Sequence, residues 1–170
     1  MQNPDECAII YQHNDLIKKG NIDHLSNGTY PLLGSGSGRR VYDLGDGSAL
    51  KVARNAKGYA QNQVESIISE MDDSDLFAKV LFVSPDNRYL VMEKADPVSD
   101  FSVVRNYFHV NTNRELFQLA NFQYIPHKYN LLTVDLCRPA NWGLIQSRPV
   151  IIDYGFTRRI RRKYYSIFNL

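Results

Sequence analysis

The chain predicts an α+β fold in two parts, on three observations. Five short β-type segments cluster between residues 30 and 94, one helical stripe interrupts them, and beyond residue 95 the apolar spacing turns helical. The expected division is residues 1–95, a five-stranded antiparallel sheet with one helix, and residues 96–170, a smaller and mainly helical part.

Taken in order, residues 1–29 carry a loose helical pattern around Ala8, Ile9, Leu16 and Ile17, closed by Lys18, Lys19 and Gly20. Tyr30 to Leu33 then reads as a strand entering the glycines, and Arg40 to Leu44 as its return. Gly45-Asp46-Gly47 turns the chain into a third strand, Ser48 to Ala53. After the break at Asn55 to Gly58, the positions Ala60, Val64, Ile67, Ile68 and Met71 recur at helical spacing and predict one buried stripe. Lys79 to Ser84 and Arg88 to Lys94 complete the sheet around Ser84-Pro85-Asp86-Asn87. In the second part Val103, Val104, Tyr107, Phe108, Leu116, Leu119 and Ala120 follow helical intervals. A segment Asn130 to Val134, a loop Asp135 to Ala140 and a hairpin of Trp142–Ile145 and Pro149–Ile152 follow, turned at Gln146-Ser147-Arg148.

Composition sets limits on function. At 170 residues and 44% apolar content the chain can bury one sizeable core or two small ones. Twenty basic against 18 acidic residues leave a net charge of +2, so no global field marks a nucleic-acid or membrane-surface protein. Cys7 and Cys137 form no C-x-x-C pair, no secretion signal is expected at the N-terminus, and no apolar run reaches bilayer length, which together suggest a cytoplasmic setting. The sequon Asn27-Gly28-Thr29 then reads as a polar turn, and His13, His24, His109 and His127 lack metal-ligand spacing.

Three groups of residues suit phosphate chemistry. Gly34-Ser35-Gly36-Ser37-Gly38 can bring backbone amides close to phosphate oxygens, or can serve as a flexible linker. Because Arg39 to Leu44 continues as a strand, the run departs from a Rossmann turn or a P-loop, both of which enter a helix. Lys51 sits mid-strand between Leu50 and Val52, so its ammonium must find an anion or reach water. Glu65, on the following helix, is the first candidate partner and Glu70 the second. Asp135, Asn141 and Asp153 form the third group. Magnesium accepts one carboxylate, one amide oxygen and phosphates, with Asp153 as main ligand and Asn141 as the second, while Asp135 can orient an acceptor hydroxyl. Each, taken singly, is also an ordinary turn residue. The basic run Arg158, Arg159, Arg161, Arg162 and Lys163, followed by Tyr164 and Tyr165, is either a solvated helix face or a contact for nucleic acid, an acidic protein or a phosphate. The aromatics after it, Tyr164, Tyr165 and Phe168, can dock the C-terminus onto the body.

The ordered series resembles the eukaryotic-type protein kinase-like fold. Gly34 to Tyr42 is similar to its Gly-rich loop, with Val41 at the valine position, and Ala49-Leu50-Lys51 to its lysine strand. Glu65 takes the place of the helix glutamate, and Leu90 to Ala95, containing Glu93, that of the segment joining two lobes. Asp135 to Asn141 stands where the catalytic loop would be, and Asp153-Tyr154-Gly155 resembles Asp-Phe-Gly. The likeness runs from about residue 30 to 156, and Gln61-Asn62, Asn141-Trp142-Gly143 and Asp153-Tyr154-Gly155 look like small bacteriophage kinase-like proteins. It implies a minimal bilobal protein kinase-like fold that binds ATP and Mg2+ and phosphorylates a protein hydroxyl, for a chain of phage origin that of a host factor in the host cytoplasm.

Departures from the pattern suggest a rival. Thr133-Val134 replaces the family's His-Arg, and Asn141 follows Asp135 by six residues where the family has five. Fifteen residues after Gly155 leave no expected room for an Ala-Pro-Glu segment. The alternative is therefore a catalytically inactive kinase-like binding module that inhibits or recruits a macromolecular partner. A third reading, a small-molecule kinase, shares Asp135, Asn141 and Asp153 but normally has a larger helical lobe.

Overall fold

The computed structural model describes residues 30–165. The helical pattern expected in residues 1–29, with Cys7, His13, His24 and the Asn27 sequon, lies outside the described residues, as does Phe168. The architecture is α+β, and the chain divides into two compact units. One comprises the described residues through Asn62 together with Lys79–Lys94, and the other Gln63–Ala78 together with the described residues from Ala95.

The first unit is built on a five-stranded antiparallel sheet: β1 (Leu32–Ser35), β2 (Arg39–Asp43), β3 (Ser48–Ala53), β4 (Val80–Val83) and β5 (Tyr89–Glu93), in the order β1-β2-β3-β5-β4. Its composition explains it, since the strands alternate apolar residues between two faces. Leu50, Tyr89 and Val91 form a buried cluster on one face, joined by Leu44, Val52, Leu81 and Phe82. Lys51 points the other way, in the middle of the sheet. Register places Gly34 opposite Val41, Val41 opposite Lys51, Lys51 opposite Leu90 and Leu90 opposite Val83. These five positions make one cross-strand row whose side chains share a face.

Helix α1 (Ala56–Met71) follows β3. The apolar spacing predicted a buried stripe of Ala60, Val64, Ile67, Ile68 and Met71, and this facing is overturned in part. Ile68 is buried as expected and Ala60 and Val64 are half-buried, but Ile67 is 47% and Met71 62% exposed, whereas Gln61, Asn62 and Glu65 are buried. Burial of Asn62 and Glu65 strands neither an amide nor a charge, because backbone and side-chain groups pair with both. In the first unit Asn62 Nδ2 donates to the carbonyls of Asn87 (2.9 Å) and Arg88 (3.3 Å), and its Oδ1 accepts from the buried Arg39 at 3.2 Å.

The second unit holds β6 (Asp96–Pro97), β7 (Trp142–Ile145) and β8 (Arg148–Ile151) in a three-stranded sheet. The β7–β8 turn is the two-residue Gln146-Ser147, both with positive φ (50° and 66°), so it is tighter than the three-residue turn expected. Between β6 and β7 lie α2 (Ser102–Tyr107), α3 (Asn113–Leu116), α4 (Ile125–Lys128) and α5 (Thr133–Leu136), and α6 (Arg158–Tyr165) comes last. Thr112 and Glu115 form a reciprocal capping box at the start of α3, with Thr112 Oγ1 accepting from Glu115 N at 3.1 Å and donating to Glu115 Oε1 at 3.0 Å. The core gathers around the fully buried Trp142, which meets Phe101 (5.8 Å) and Phe122 (6.1 Å) and donates from Nε1 to Leu136 O at 2.7 Å. Gly143 is required there, because a Cβ would stand 2.5 Å from Ala95 Cβ.

Candidate functional site

Gly34 and Ser35 belong to β1, and the turn closes with Gly36 N donating to Arg39 O at 2.8 Å. Space around a Cβ at Gly34 is empty and at Gly36 nearly so, the nearest atom lying 3.9 Å away. Gly38 is different: a Cβ there would lie 2.7 Å from Gln61 Oε1, and a Cβ at Gly58 would overlap the Gly38 carbonyl. The turn therefore sits directly on the first residues of α1. Lys57 Nζ donates to Ser37 Oγ at 2.6 Å, Asn55 Nδ2 to Ser37 O at 2.8 Å, and Arg54 N to Gly38 O at 2.8 Å. None of these clamps was legible from residue spacing, since they depend on two glycine-lined backbones meeting 20 residues apart in sequence.

Lys51 is only 4% exposed, with its stem between Val41 and Leu90 in the cross-strand row. Arg39 lies on the same face as Val41 and reaches Asn62, so the first half of α1 covers the side of the sheet from which Lys51 projects. Glu93 closes β5, where its Oε2 accepts from Lys79 N at 2.9 Å and its own N–H donates to Lys79 O at 2.9 Å.

In the second unit Glu65 is fully buried, and its Oε1 accepts from the backbone N–H of both Tyr154 (3.2 Å) and Gly155 (3.0 Å). A carboxylate taking two amides in the interior holds that turn firmly, because losing it would leave both donors unsatisfied. Tyr154 is buried as well, packing edge-on against Phe77 at 4.7 Å and donating from its hydroxyl to Ala78 O at 2.7 Å. Residues 76–78 run beside β8, with Ile151 N donating to Leu76 O and Ala78 N to Ile151 O. The aspartate of the turn is thus delivered from a strand paired on both sides.

Asp135, placed by the sequence in a loop, lies in the one-turn helix α5, and Pro139–Asn141 forms a 3-10 turn. Prolines and asparagines favour such short turns, and the extra residue between Asp135 and Asn141 is absorbed by them. Asn141 is buried. Its side-chain Nδ2 donates to Asp135 O at 2.8 Å, while its main-chain O accepts from Ile152 N (2.8 Å) and Asp153 N (3.5 Å). Asp135, Asn141 and Asp153 are therefore brought together. Burial, and then the negative charge of Asp153, raise the pKa of Asp135 above the ordinary aspartate value, with Arg138 opposing from 3.4 Å. Arg138 escaped the sequence reading, although its place three residues after Asp135 on a helical turn is a usable signal.

The donor set here suits a hard cation. Asp153 and Asn141 offer a carboxylate and an amide oxygen, and the mutual repulsion of Asp153 and Asp135 is relieved by positive charge. Among the described residues no group of three or more His, Cys, Asp or Glu side chains that could hold a metal ion occurs.

With this geometry in view, solved structures supply the comparison. The chain is similar to solved structures over about three-quarters of its length. Two matches are crystal structures of the Mycobacterium tuberculosis PknI kinase domain, at 16% and 18% identity and TM-scores of 0.42 and 0.40, covering 74% and 76% of this chain. A third is SAICAR synthase from Saccharomyces cerevisiae in complex with SAICAR, at 11% identity and a TM-score of 0.40, covering 75% of this chain and 74% of that one. The chain spans about three-fifths of the PknI kinase domains, 59% in each case. No family model matches the sequence, and no curated protein is significantly similar to it.

Proposed function

We propose that the chain is an ATP- and Mg2+-dependent phosphotransferase of the protein kinase-like type acting on a protein hydroxyl. The observation that carries this reading is the joint placement of Asp135, Asn141 and Asp153, with the Asn141 side chain bonded to Asp135 and its main chain bonded to the Asp153 turn. In this account Asp153 and Asn141 hold the metal, which when bound neutralises phosphate charge. Asp135 orients the acceptor hydroxyl and takes up its proton, a role that its raised pKa favours. Lys51, with Glu65 as counter-charge, holds the phosphates, and the turn at Gly34, Ser35, Gly36, Ser37 and Gly38, with Val41 and the segment ending in Glu93, receives the nucleotide. Catalysis is then mainly positioning and charge neutralisation.

The cytoplasm suits this activity, being rich in ATP and keeping a free thiol such as Cys137 reduced; for a bacteriophage chain that would be the host's. Incubating the protein with γ-labelled ATP, Mg2+ and a cell extract tests the proposal. Lys51→Ala and Asp153→Ala are expected to abolish labelling while circular dichroism stays unchanged, and full labelling by both variants would overturn it.

One observation favours the rival, a catalytically inactive binding module. Arg138 engages the Asp135 carboxylate at 3.4 Å, and an engaged carboxylate is a poorer proton acceptor. In the same experiment, capture of a partner with no labelled product in the wild-type protein decides for it.

A further inference from the structure

The sequence's densest charge lies outside the site described above. We propose that α6 is a nucleic-acid docking surface that grips the phosphate backbone without reading base sequence. Arg158, Arg159, Arg161, Arg162 and Lys163 are all exposed, and among the described residues none of the four arginines has an ion-pair partner. These five account for a quarter of the chain's 20 basic residues, and the other 15 are outnumbered by 18 acidic ones. The chain's densest basic run is thus carried by one exposed helix, while the remaining residues sum to a net negative charge.

The helix is anchored on its own unit. Thr157 Oγ1 caps it by accepting from Ile160 N at 3.2 Å, Arg158 N donates to Asn130 O at 2.9 Å, and Ile160 is buried. Tyr165 rests edge-on against Phe156 at 5.2 Å. Ile160, the one aliphatic residue of the helix, is buried, and only the 44% exposed Tyr165 and the half-buried Tyr164 remain, less than the broad apolar face that insertion into a lipid surface needs. Charge density points to the partner. At a rise of about 1.5 Å per residue the five cations span about 8 Å, and a duplex presents roughly one phosphate charge per 1.7 Å, or about five over that length. The four guanidinium forks match phosphate oxygens in pairs.

Fluorescence anisotropy with a random-sequence DNA duplex, titrated between 50 and 200 mM salt, is the test. The wild-type protein is expected to bind at 50 mM salt with a log–log salt slope of about −4.5, a loss of roughly 500-fold over the range. Arg158→Gln/Arg161→Gln/Arg162→Gln should flatten the slope to about −2 without changing the melting temperature. Should that variant melt early, Arg159→Gln/Lys163→Gln, expected to give a slope of about −3, is read in its place. Absence of binding at 50 mM salt, or a slope unmoved by the substitutions, overturns the proposal. So does stronger capture by polyglutamate or by anionic vesicles, which would assign the helix to an acidic protein or a membrane.

Discussion

Two glycine-containing turns, Gly34–Gly38 and Asp153–Gly155, are held by opposite means. The first is gripped from its surface by the side chains of Asn55 and Lys57 and by close contact with Gly58, while Gly34 and Gly36 face open space. The second is gripped from the interior by one buried carboxylate, Glu65, which takes two of its amides, and by the buried ring of Tyr154. An exposed turn can lose one clamp and keep its shape through the others and through water. An interior turn cannot, because water does not replace the missing partner. The difference teaches that glycine spacing alone does not say which glycines a fold requires.

The largest effect expected from this contrast is at Glu65. Glu65→Ala leaves two buried N–H groups unsatisfied and should cost about 2–4 kcal/mol in urea unfolding, whereas Glu65→Gln, which keeps an oxygen acceptor, should cost about 1 kcal/mol. Equal losses in the two variants would mean that the charge of the carboxylate, and not merely an oxygen acceptor of the same shape, holds the turn. Next comes Gly58→Ala. Helix propensity predicts a gain of about 1 kcal/mol, but the clash with the Gly38 carbonyl predicts a net loss of about 1–3 kcal/mol, so the sign of the change decides.

A smaller effect is expected at Asp135. Its pKa is raised in the folded state, first by burial and then by Asp153, so the folded protein binds this proton more tightly than the unfolded chain. Stability from this group is greatest below the ordinary aspartate value of 3.8, is lost as pH rises through the interval up to the raised value, and stays lost above it. Asp135→Asn should therefore be more stable than wild type at pH 7, with the advantage disappearing below about pH 4 in thermal melts. Smallest of all, Gly34→Ala should change stability by no more than about 0.5 kcal/mol, since its Cβ meets nothing.

The sheet was legible in the sequence because its strands are short, alternate cleanly and are separated by turn residues, and the five antiparallel strands follow from that pattern, whereas the placement of β5 between β3 and β4 does not. The same reasoning placed Ile68 correctly on the buried face of α1 but misplaced Ile67 and Met71. Period analysis assumes that apolar residues go inward, and here Asn62 and Glu65 take the inward positions because backbone groups far away in sequence satisfy them. Asp135, Asn141 and Asp153 could be nominated as a group only by their order along the chain. Their meeting depends on Asn141 joining the α5 turn to the end of β8, a link invisible in spacing. Arg138 went unnoticed for a related reason, since an exposed arginine in a turn is ordinary until the carboxylate beside it has a role.

The proposed activity depends on Asp153 holding a metal ion that brings ATP to this chain. Isothermal titration of ATP into the wild-type protein and Asp153→Asn, each with and without Mg2+, is the decisive measurement. Removing Mg2+ is expected to weaken ATP binding tenfold or more in the wild-type protein, and Asp153→Asn is expected to bind as weakly with the metal as without it. ATP affinity that ignores both the metal and the substitution would contradict it.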